Sequence, residues 1–323
     1  MFTLGELRAA ATLVHGYMPP TPQFAWPLLA QRLGVETIVK HENHTPVGAF
    51  KIRGGLVYMD SLKRERPGIK GVATATRGNH GQSMAFAGRA HGVPVTVFVP
   101  RGNSTEKNAA MRALGAELIE HGADFDEARQ YARAAAAERG LEMAPSFHPD
   151  LVCGVATYAL EMFEAFNDLD AIYAPIGLGS GICGIILARD LLGLKTHVIG
   201  VSSENAPAYA LSFKAGRVIE TNSALTFADG MATRIPDAQA LGIIRAGAER
   251  IVEVSDGEIA AAIRVYHEDT HNMAEGAGAA PLAALMKERE DMRGKRVGVV
   301  LTGGNIDRGW AAEVLSGRTP NVV

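Results

Sequence analysis

Short apolar runs alternate with longer, Ala-rich stretches along most of this chain, and several junctions between them are rich in glycine. That alternation constrains the fold more than any other feature. A short run without polar residues is a strand buried on both faces, and such strands separated by helices build parallel sheets. The clearest units are GVATAT (Gly71 to Thr76) as a strand, GNHGQSMAFAGRAHG as a helix, PVTVFVP (Pro94 to Pro100) as a buried strand and NAAMRALGAEL as the next helix. AELIEHG then predicts a third strand, and DFDEARQYARAAAAERG, with charges at helical spacing, a long helix. In the second half AIYAPIG, THVIGVSS and RVGVVLTGGN predict parallel strands and GSGICGIILARDLLG a helix. A leading helix and a Pro-rich turn from Met18 to Pro22 come before all of these. The expectation is an α/β fold of two open twisted domains, with residues 1–70 and 148–323 in the larger and 71–147 in the smaller. Ligands of such folds bind in the crevice beyond the carboxyl ends of the strands.

Charge narrows the ligand. Lys and Arg number 32 against 35 Asp and Glu, a net charge of -3, which argues against nucleic-acid and anionic-membrane partners and for a small molecule. Glu6 and Arg8 stand where a secretory leader would be apolar, and no stretch is long and apolar enough to span a bilayer. Cys153 and Cys183 lie in Gly- or Ala-rich apolar surroundings, unlike a disulfide framework. Together these predict a cytoplasmic location.

Four segments carry candidate chemistry. In PIGLGSGICG, glycines 177, 179, 181 and 184 follow an apolar run and open a helix, so free backbone N–H groups converge on an anion. The same loop also fits a tight turn without a ligand, or a dinucleotide site with Glu204 as the acid after the following strand. In HTPVGAFKIRGG, Lys51 lies between Phe50 and Ile52. Desolvation there would lower its pKa and make the amine both nucleophile and base, whereas an ordinary surface lysine would do neither. TATRGNHG places Gly78, Asn79 and His80 at a helix start where N–H groups receive a carboxylate, although Asn79 also suits a plain N-cap. In LTGGN, Thr302 ends the last strand with a hydroxyl free for a ring nitrogen.

One motif competes. His267, Glu268 and His271 spell H-E-x-x-H, whose spacing sets two imidazoles on one helical face as zinc ligands, the signature of a zinc hydrolase. A third ligand is needed downstream, only Glu275 is near, and Asp269 and Thr270 are poor helix formers.

Taken jointly and in order, GAFKIRGG, TRGNHGQ (Thr76 to Gln82), GLGSG (Gly177 to Gly181), ADG (Ala228 to Gly230), EGAGAA from Glu275 and TGGN from Thr302 resemble the pyridoxal-phosphate enzymes of fold type II, within them the threonine/serine dehydratase and serine racemase group. The resemblance spans nearly the whole chain. It implies a tryptophan-synthase-β-like fold with the active site between the domains, and a lyase that turns a β-hydroxy-α-amino acid into a 2-oxo acid and ammonia. It further implies that Lys51 carries pyridoxal 5'-phosphate as a Schiff base, with Phe50 beside it. Gly177, Leu178, Gly179, Ser180 and Gly181 would bind the phosphate, Asn79 would face the ring hydroxyl and Thr302 the pyridine nitrogen. Thr76, Arg77, Gly78, Asn79 and His80 would hold the substrate. A neutral hydroxyl at Thr302 leaves the ring a weaker electron sink than a carboxylate would, which favours elimination. The family also implies a homodimer. A β-replacement activity is the related alternative, and GAFKIRGG is closer to the dehydratases.

Three departures from the group refine the expectation. Arg77 occupies the place of a small residue before GNH, and an always-protonated guanidinium is a poor second-face acid/base, which argues against racemisation. Arg77 would instead recognise the second carboxylate of a 3-hydroxyaspartate, stack on the ring of a phenylserine, or pair with a nearby acid. Ser202 and Ala208 stand where the group's divalent-cation site carries acids, with Glu204 off register, so no metal site is expected. The chain ends about 20 residues after Thr302, and no end-product regulation through an appended domain is expected.

Overall fold

The computed structural model describes residues 1–322. Ten strands form two sheets: β1 (Gln23–Ala25), β2 (Glu36–His41), β3 (Val72–Ala75), β4 (Val95–Val99), β5 (Glu117–Glu120), β6 (Glu142–Met143), β7 (Ala171–Pro175), β8 (His197–Ser203), β9 (Ala248–Val254) and β10 (Arg296–Leu301). The larger sheet runs β1-β2-β10-β7-β8-β9, parallel except for the edge strand β1, and the smaller runs β5-β4-β3-β6, all parallel. The fold is thus mixed α/β with two sheets, as the alternation requires.

Strand composition accounts for the layering. Every residue of β4 (VTVFV) is buried, and β10 (RVGVVL) is buried after its first residue, because helices cover both faces. On the larger sheet, one face packs against the helices Asp256–Thr270 and Gly276–Lys287, the other against Pro149–Ala165 and Ser180–Leu191. On the smaller sheet, the helix Phe125–Arg139 presents Ala128, Ala132, Ala135 and Ala136 to Ala73, Ala75 and Phe98, a stripe at helical period. Asp124 caps that helix through the Glu127 N–H, and Gly140 ends it in the left-handed conformation.

Several elements differ from the sequence expectation. The helix expected from NAAMRALGAEL begins earlier, at Thr105, because the Ser104 side chain accepts from the Lys107 N–H and caps it. The expected strands β3, β4, β5, β7, β8 and β10 all form, but β1, β2, β6 and β9 carry no clear alternation. The helix Pro149–Ala165 is buried along most of its length and so shows no amphipathic period. Among the described residues no helix is long and apolar enough to cross a membrane.

Candidate active site

Lys51 is the first residue of the helix Lys51–Glu65, where an N-terminal side chain projects beyond the packed body of the helix. The segment before it is stitched to the end of β10: the Phe50 N–H donates to the Thr302 carbonyl at 3.0 Å, the Gly304 N–H donates to the Gly48 carbonyl at 2.9 Å, and Ala49 bridges Gly303. Residues some 250 positions apart, at Lys51 and Thr302, thereby share one wall. The glycines of KIRGG serve close helix approach. A Cβ on Gly54 would sit 2.6 Å from the Leu151 carbonyl oxygen, and one on Gly55 would collide with Ser83, whose hydroxyl donates to the Lys51 carbonyl at 2.6 Å. The helix bearing Lys51 is therefore wedged between Pro149–Ala165 and the helix Asn79–His91.

The Lys51 ammonium lies 4.8 Å from the centroid of the Phe50 ring, and the residue as a whole is half-buried. Burial pushes its pKa below the usual lysine value, and the nearby Glu275 opposes that shift. Phe50 meets Tyr158 edge to face at 6.1 Å, and its ring also borders Gly181. Lys51 and the glycine loop after β7 are thus separated by one aromatic ring.

That loop leads into the helix Ser180–Leu191. Gly179 has φ +98°, a conformation that L side chains rarely adopt, and a Cβ on Gly177 would strike the Gly230 carbonyl oxygen. Tyr209 donates its hydroxyl to the Leu178 carbonyl at 2.9 Å, and Tyr158 donates to the Gly181 carbonyl at 3.1 Å. With carbonyls turned outward onto tyrosines, the N–H groups at the start of the helix remain free for an anion. Ser180 is buried beside them.

The loop after β3 forms the opposite wall. The Gly78 N–H donates to the Thr76 hydroxyl at 3.1 Å, and His80 is half-buried, with its Nε2 fully buried and unpartnered. Burial, then the Lys51 charge, pushes the His80 pKa down to about 3, so the imidazole is neutral at ordinary pH. Asn79 is not an N-cap. Gly78 occupies that position, no side chain caps the helix, and the Asn79 amide turns to Glu275 (Nδ2 to Oε1, 2.7 Å) while its Oδ1 accepts from Asn305 Nδ2 at 2.8 Å. Arg77 is exposed, its carbonyl accepts from Asn103 at 3.2 Å, and among the described residues its guanidinium joins no ion pair and no aromatic face. The acid partner weighed for Arg77 is therefore not present.

The structure brings Phe50, Lys51, Asn79, His80, Gly181 and Thr302 into one neighbourhood through the contacts of Phe50 with Thr302, Lys51 and Gly181, of Lys51 with His80, and of Asn79 with Glu275. Four further residues belong there that residue-level reading left without a role. Glu275 is buried (4% exposed), and burial, then Asp229, pushes its carboxyl up to about 7 against the pull of Lys107, Asn79 and Lys51. Lys107 pairs with Asp229 at 2.5 Å, so a cation of the smaller sheet's helix meets an acid of the larger unit. Burial disfavours the Lys107 ammonium, but Asp229 and Glu275 outweigh it and raise its pKa. Asn305 completes the set. ADG, EGAGAA and TGGN carried the signal for three of them, and nothing in the sequence marks Lys107.

The competing motifs resolve otherwise. The helix Asp256–Thr270 stops before His271, which takes φ +52° as its C-cap; the two imidazoles meet edge to face at 6.5 Å, and among the described residues no third His, Cys, Asp or Glu joins them in a group that could hold a metal ion. Glu268 and Asp269 are engaged by Arg32, at 2.9 and 2.6 Å. Glu204 pairs with Lys287 at 3.5 Å on the surface, away from the glycine loop. Ser202 donates to the Ala206 carbonyl, and Ala208 begins a helix. Cys153 and Cys183 are buried free thiols.

Known proteins resemble this chain in sequence and in fold. The model of the family described as pyridoxal-phosphate dependent enzyme matches residues 14–303. The chain is 41% identical over 280 residues to an L-threonine ammonia-lyase of Geobacter sulfurreducens, covering 86% of this chain and 69% of that protein. It is 32% identical over 317 residues to an L-threo-3-hydroxyaspartate ammonia-lyase of Saccharomyces cerevisiae, covering 98% and 97%. Its fold is similar to that of threonine deaminase isoform 2 from Solanum lycopersicum (TM-score 0.89, 28% identity, 98% and 95% covered) and of maize serine racemase (TM-score 0.90, 25% identity, 97% and 97% covered).

Proposed function

This chain belongs to the pyridoxal-phosphate dependent enzymes, and from that premise we propose that it eliminates water from a β-hydroxy-α-amino acid, with Lys51 as cofactor anchor and catalytic base. It is a pyridoxal-phosphate-dependent ammonia-lyase. Residues 1–70 with 148–323 are the larger, cofactor-binding domain in this reading, and 71–147 the smaller.

The residues suit the cofactor. Free N–H groups at Gly177 to Gly181 match a phosphate, and the crowding at Gly177 reserves that space for backbone alone. A depressed lysine pKa beside a neutral histidine matches an aldehyde-bearing ring. When bound, the cofactor supplies an electron sink for the substrate α-carbon. Gly177, Leu178, Gly179, Ser180 and Gly181 would hold its phosphate, Phe50 would wall its ring, Asn79 would meet the ring oxygen, and Thr302 would meet the ring nitrogen with a neutral hydroxyl.

The N–H groups from Thr76 to His80 orient the substrate carboxylate, which fixes the α-hydrogen toward Lys51. The Lys51 amine, whose proton affinity burial lowers, takes the proton from the α-carbon. The β-hydroxyl departs as water. Hydrolysis of the remaining enamine gives a 2-oxo acid and ammonia, so the net change is β-hydroxy-α-amino acid to 2-oxo acid plus ammonia. The observation that carries this reading is Lys51 set between Phe50 and Glu275 on a wall shared with Thr302.

Arg77 supports a finer reading. Its unpaired guanidinium beside the substrate loop fits the distal carboxylate of a 3-hydroxyaspartate better than the methyl group of threonine. A small-molecule substrate, a cytoplasmic location and a homodimer complete the proposal.

Borohydride reduction of the purified protein, followed by peptide mass analysis, should place a pyridoxyl group on Lys51; label on another lysine would refute the assignment. L-threonine, L-serine, L-threo-3-hydroxyaspartate and L-threo-phenylserine, supplied separately, should release 2-oxo acid, fastest from hydroxyaspartate. Arg77→Ala should lower kcat/KM for hydroxyaspartate by about tenfold or more relative to threonine. Unchanged ratios would remove Arg77 from recognition.

A further inference from the structure

The direction of the Asn79 amide follows from a backbone carbonyl. Asn305 Nδ2 lies 2.8 Å from the Val47 carbonyl oxygen, a group that can only accept, so the amino end of Asn305 must face it. The second hydrogen of the same nitrogen points to Asn79, 2.8 Å away, and the Asn79 atom that meets it must be the carbonyl oxygen Oδ1. Asn79 Nδ2 is thereby turned to the other side. There it donates one hydrogen to Glu275 Oε1 at 2.7 Å, and its second hydrogen has no protein partner among the described residues. Glu275 is itself held, because its backbone N–H donates to the Gly303 carbonyl at 3.0 Å and its Oε2 is buried without a partner. Space supports the same brace. A Cβ on Gly48 would lie 2.6 Å from Asn305 Oδ1, and one on Gly303 would lie 2.6 Å from Glu275 Oε1. Both glycines therefore let the two side chains close on Asn79.

We propose that Asn305 and Glu275 are positioning residues that make Asn79 a donor, and never an acceptor, toward the cleft, so that the site takes the cofactor with its ring oxygen as hydrogen-bond acceptor. This rests on the proposed cofactor site and deepens it. The brace joins both halves of the fold, since Asn79 follows β3 while Asn305 and Glu275 belong to the larger sheet's loops. The charged groups that face it are Lys51 from its own helix, Lys107 from the helix Thr105–Ala113 and Asp229 from the turn Asp229–Met231.

The test compares pyridoxal phosphate with its 3-deoxy analogue, which keeps the phosphate and aldehyde and lacks the ring oxygen. Dissociation constants are measured by absorbance for the wild type, Asn305→Ala, Glu275→Leu and Glu275→Gln. Asn305→Ala and Glu275→Leu should each weaken pyridoxal phosphate by about tenfold, the worth of one buried hydrogen bond, and change the analogue by less than about twofold. Glu275→Gln keeps an acceptor oxygen and should stay within about threefold of wild type for both compounds. Equal weakening of both compounds would mean that these residues only support the fold, and would overturn the inference. Wild-type affinity in Asn305→Ala and Glu275→Leu would overturn it as well. A wild type that binds both compounds equally leaves Asn79 without a ring oxygen to meet, which overturns the inference alone; one that binds neither sinks the cofactor reading beneath it.

Discussion

Replacing Arg53 by Leu should unfold this protein more readily than any surface change, and the cost should depend on pH. Arg53 lies two residues beyond Lys51 on the same helix and is 0% exposed. Its guanidinium spans two carboxylates, reaching Glu42 at 2.8 and 3.0 Å and Glu161 at 2.6 and 2.9 Å, with Thr157 at 3.0 Å. Lys40 adds a second contact to Glu161 at 2.5 Å. Burial opposes ionisation of Glu161, but Arg53, Lys40 and His15 outweigh it and hold its pKa at about 2. A carboxylate with a depressed folded pKa contributes stability that is present above its ordinary value near 4.5 and lost as pH falls through about 2. That difference is worth about 3 kcal/mol, within the cost of about 3–5 kcal/mol for removing one partner of a buried pair.

Urea denaturation with saturating pyridoxal phosphate, followed by ellipticity, should therefore show a loss of about 3–5 kcal/mol at pH 7 for Arg53→Leu. The loss should shrink by pH 5, because the stranded carboxylates then take up protons. Adding Glu42→Gln and Glu161→Gln to the same variant should recover more than half of it. A loss below about 1 kcal/mol, or one identical at both pH values, would refute the reasoning that the pair is paid for by mutual neutralisation. The same helix start positions Lys51, so the variant should also bind cofactor more weakly.

Gly177→Ala should weaken cofactor binding by about tenfold or more in an absorbance titration, because the added methyl meets the Gly230 backbone carbonyl and neither segment can yield; wild-type affinity would exclude a packed phosphate loop. Lys107→Met keeps the aliphatic stem against Gly78 but strips Asp229, which is 23% exposed, of its partner, and should destabilise by about 2 kcal/mol in urea melts. For Glu275 the sign is opposite to that of Glu161. Its pKa is raised to about 7 by burial and Asp229, so its ionisation costs stability as pH rises from about 4.5 through about 7. Glu275→Gln should accordingly raise the urea midpoint of the apoprotein at pH 8 and leave it little changed at pH 5, a gain of up to about 3 kcal/mol; equal shifts at both pH values would show that the carboxyl is not buried in its neutral form.

Some of this site was legible before any coordinates. The glycines after β7 and the loop after β3 each follow a strand and open a helix, and Lys51 opens a helix between Phe50 and Ile52, so their chemistry can be inferred from local order alone. Asn79 shows where such inference stops. An Asn at a helix start suits an N-cap by every local criterion, yet here its amide is claimed by Glu275 and Asn305, more than 190 residues distant. Likewise H-E-x-x-H is a metal motif only while its helix continues, and the helix stops at Thr270 with His271 as left-handed cap. The same limit hid β2, which lies in the sheet between β1 and the distant β10.

The parts were legible from residue order: buried parallel strands from unbroken apolar runs, helices from Ala-rich spacing, and anion-binding turns from glycine. Periodicity and backbone freedom are local properties, and they survive whatever the rest of the chain does. Which parts face one another depends on contacts between residues far apart in the chain. Such contacts set the Phe50 N–H on the Thr302 carbonyl, draw Lys107 to Asp229 across the cleft, and bury Glu275 beside Lys51. Burial and the nearness of opposite charges arise from contacts between distant residues, and it is these that shift the Lys51 and Glu275 proton affinities toward neutrality.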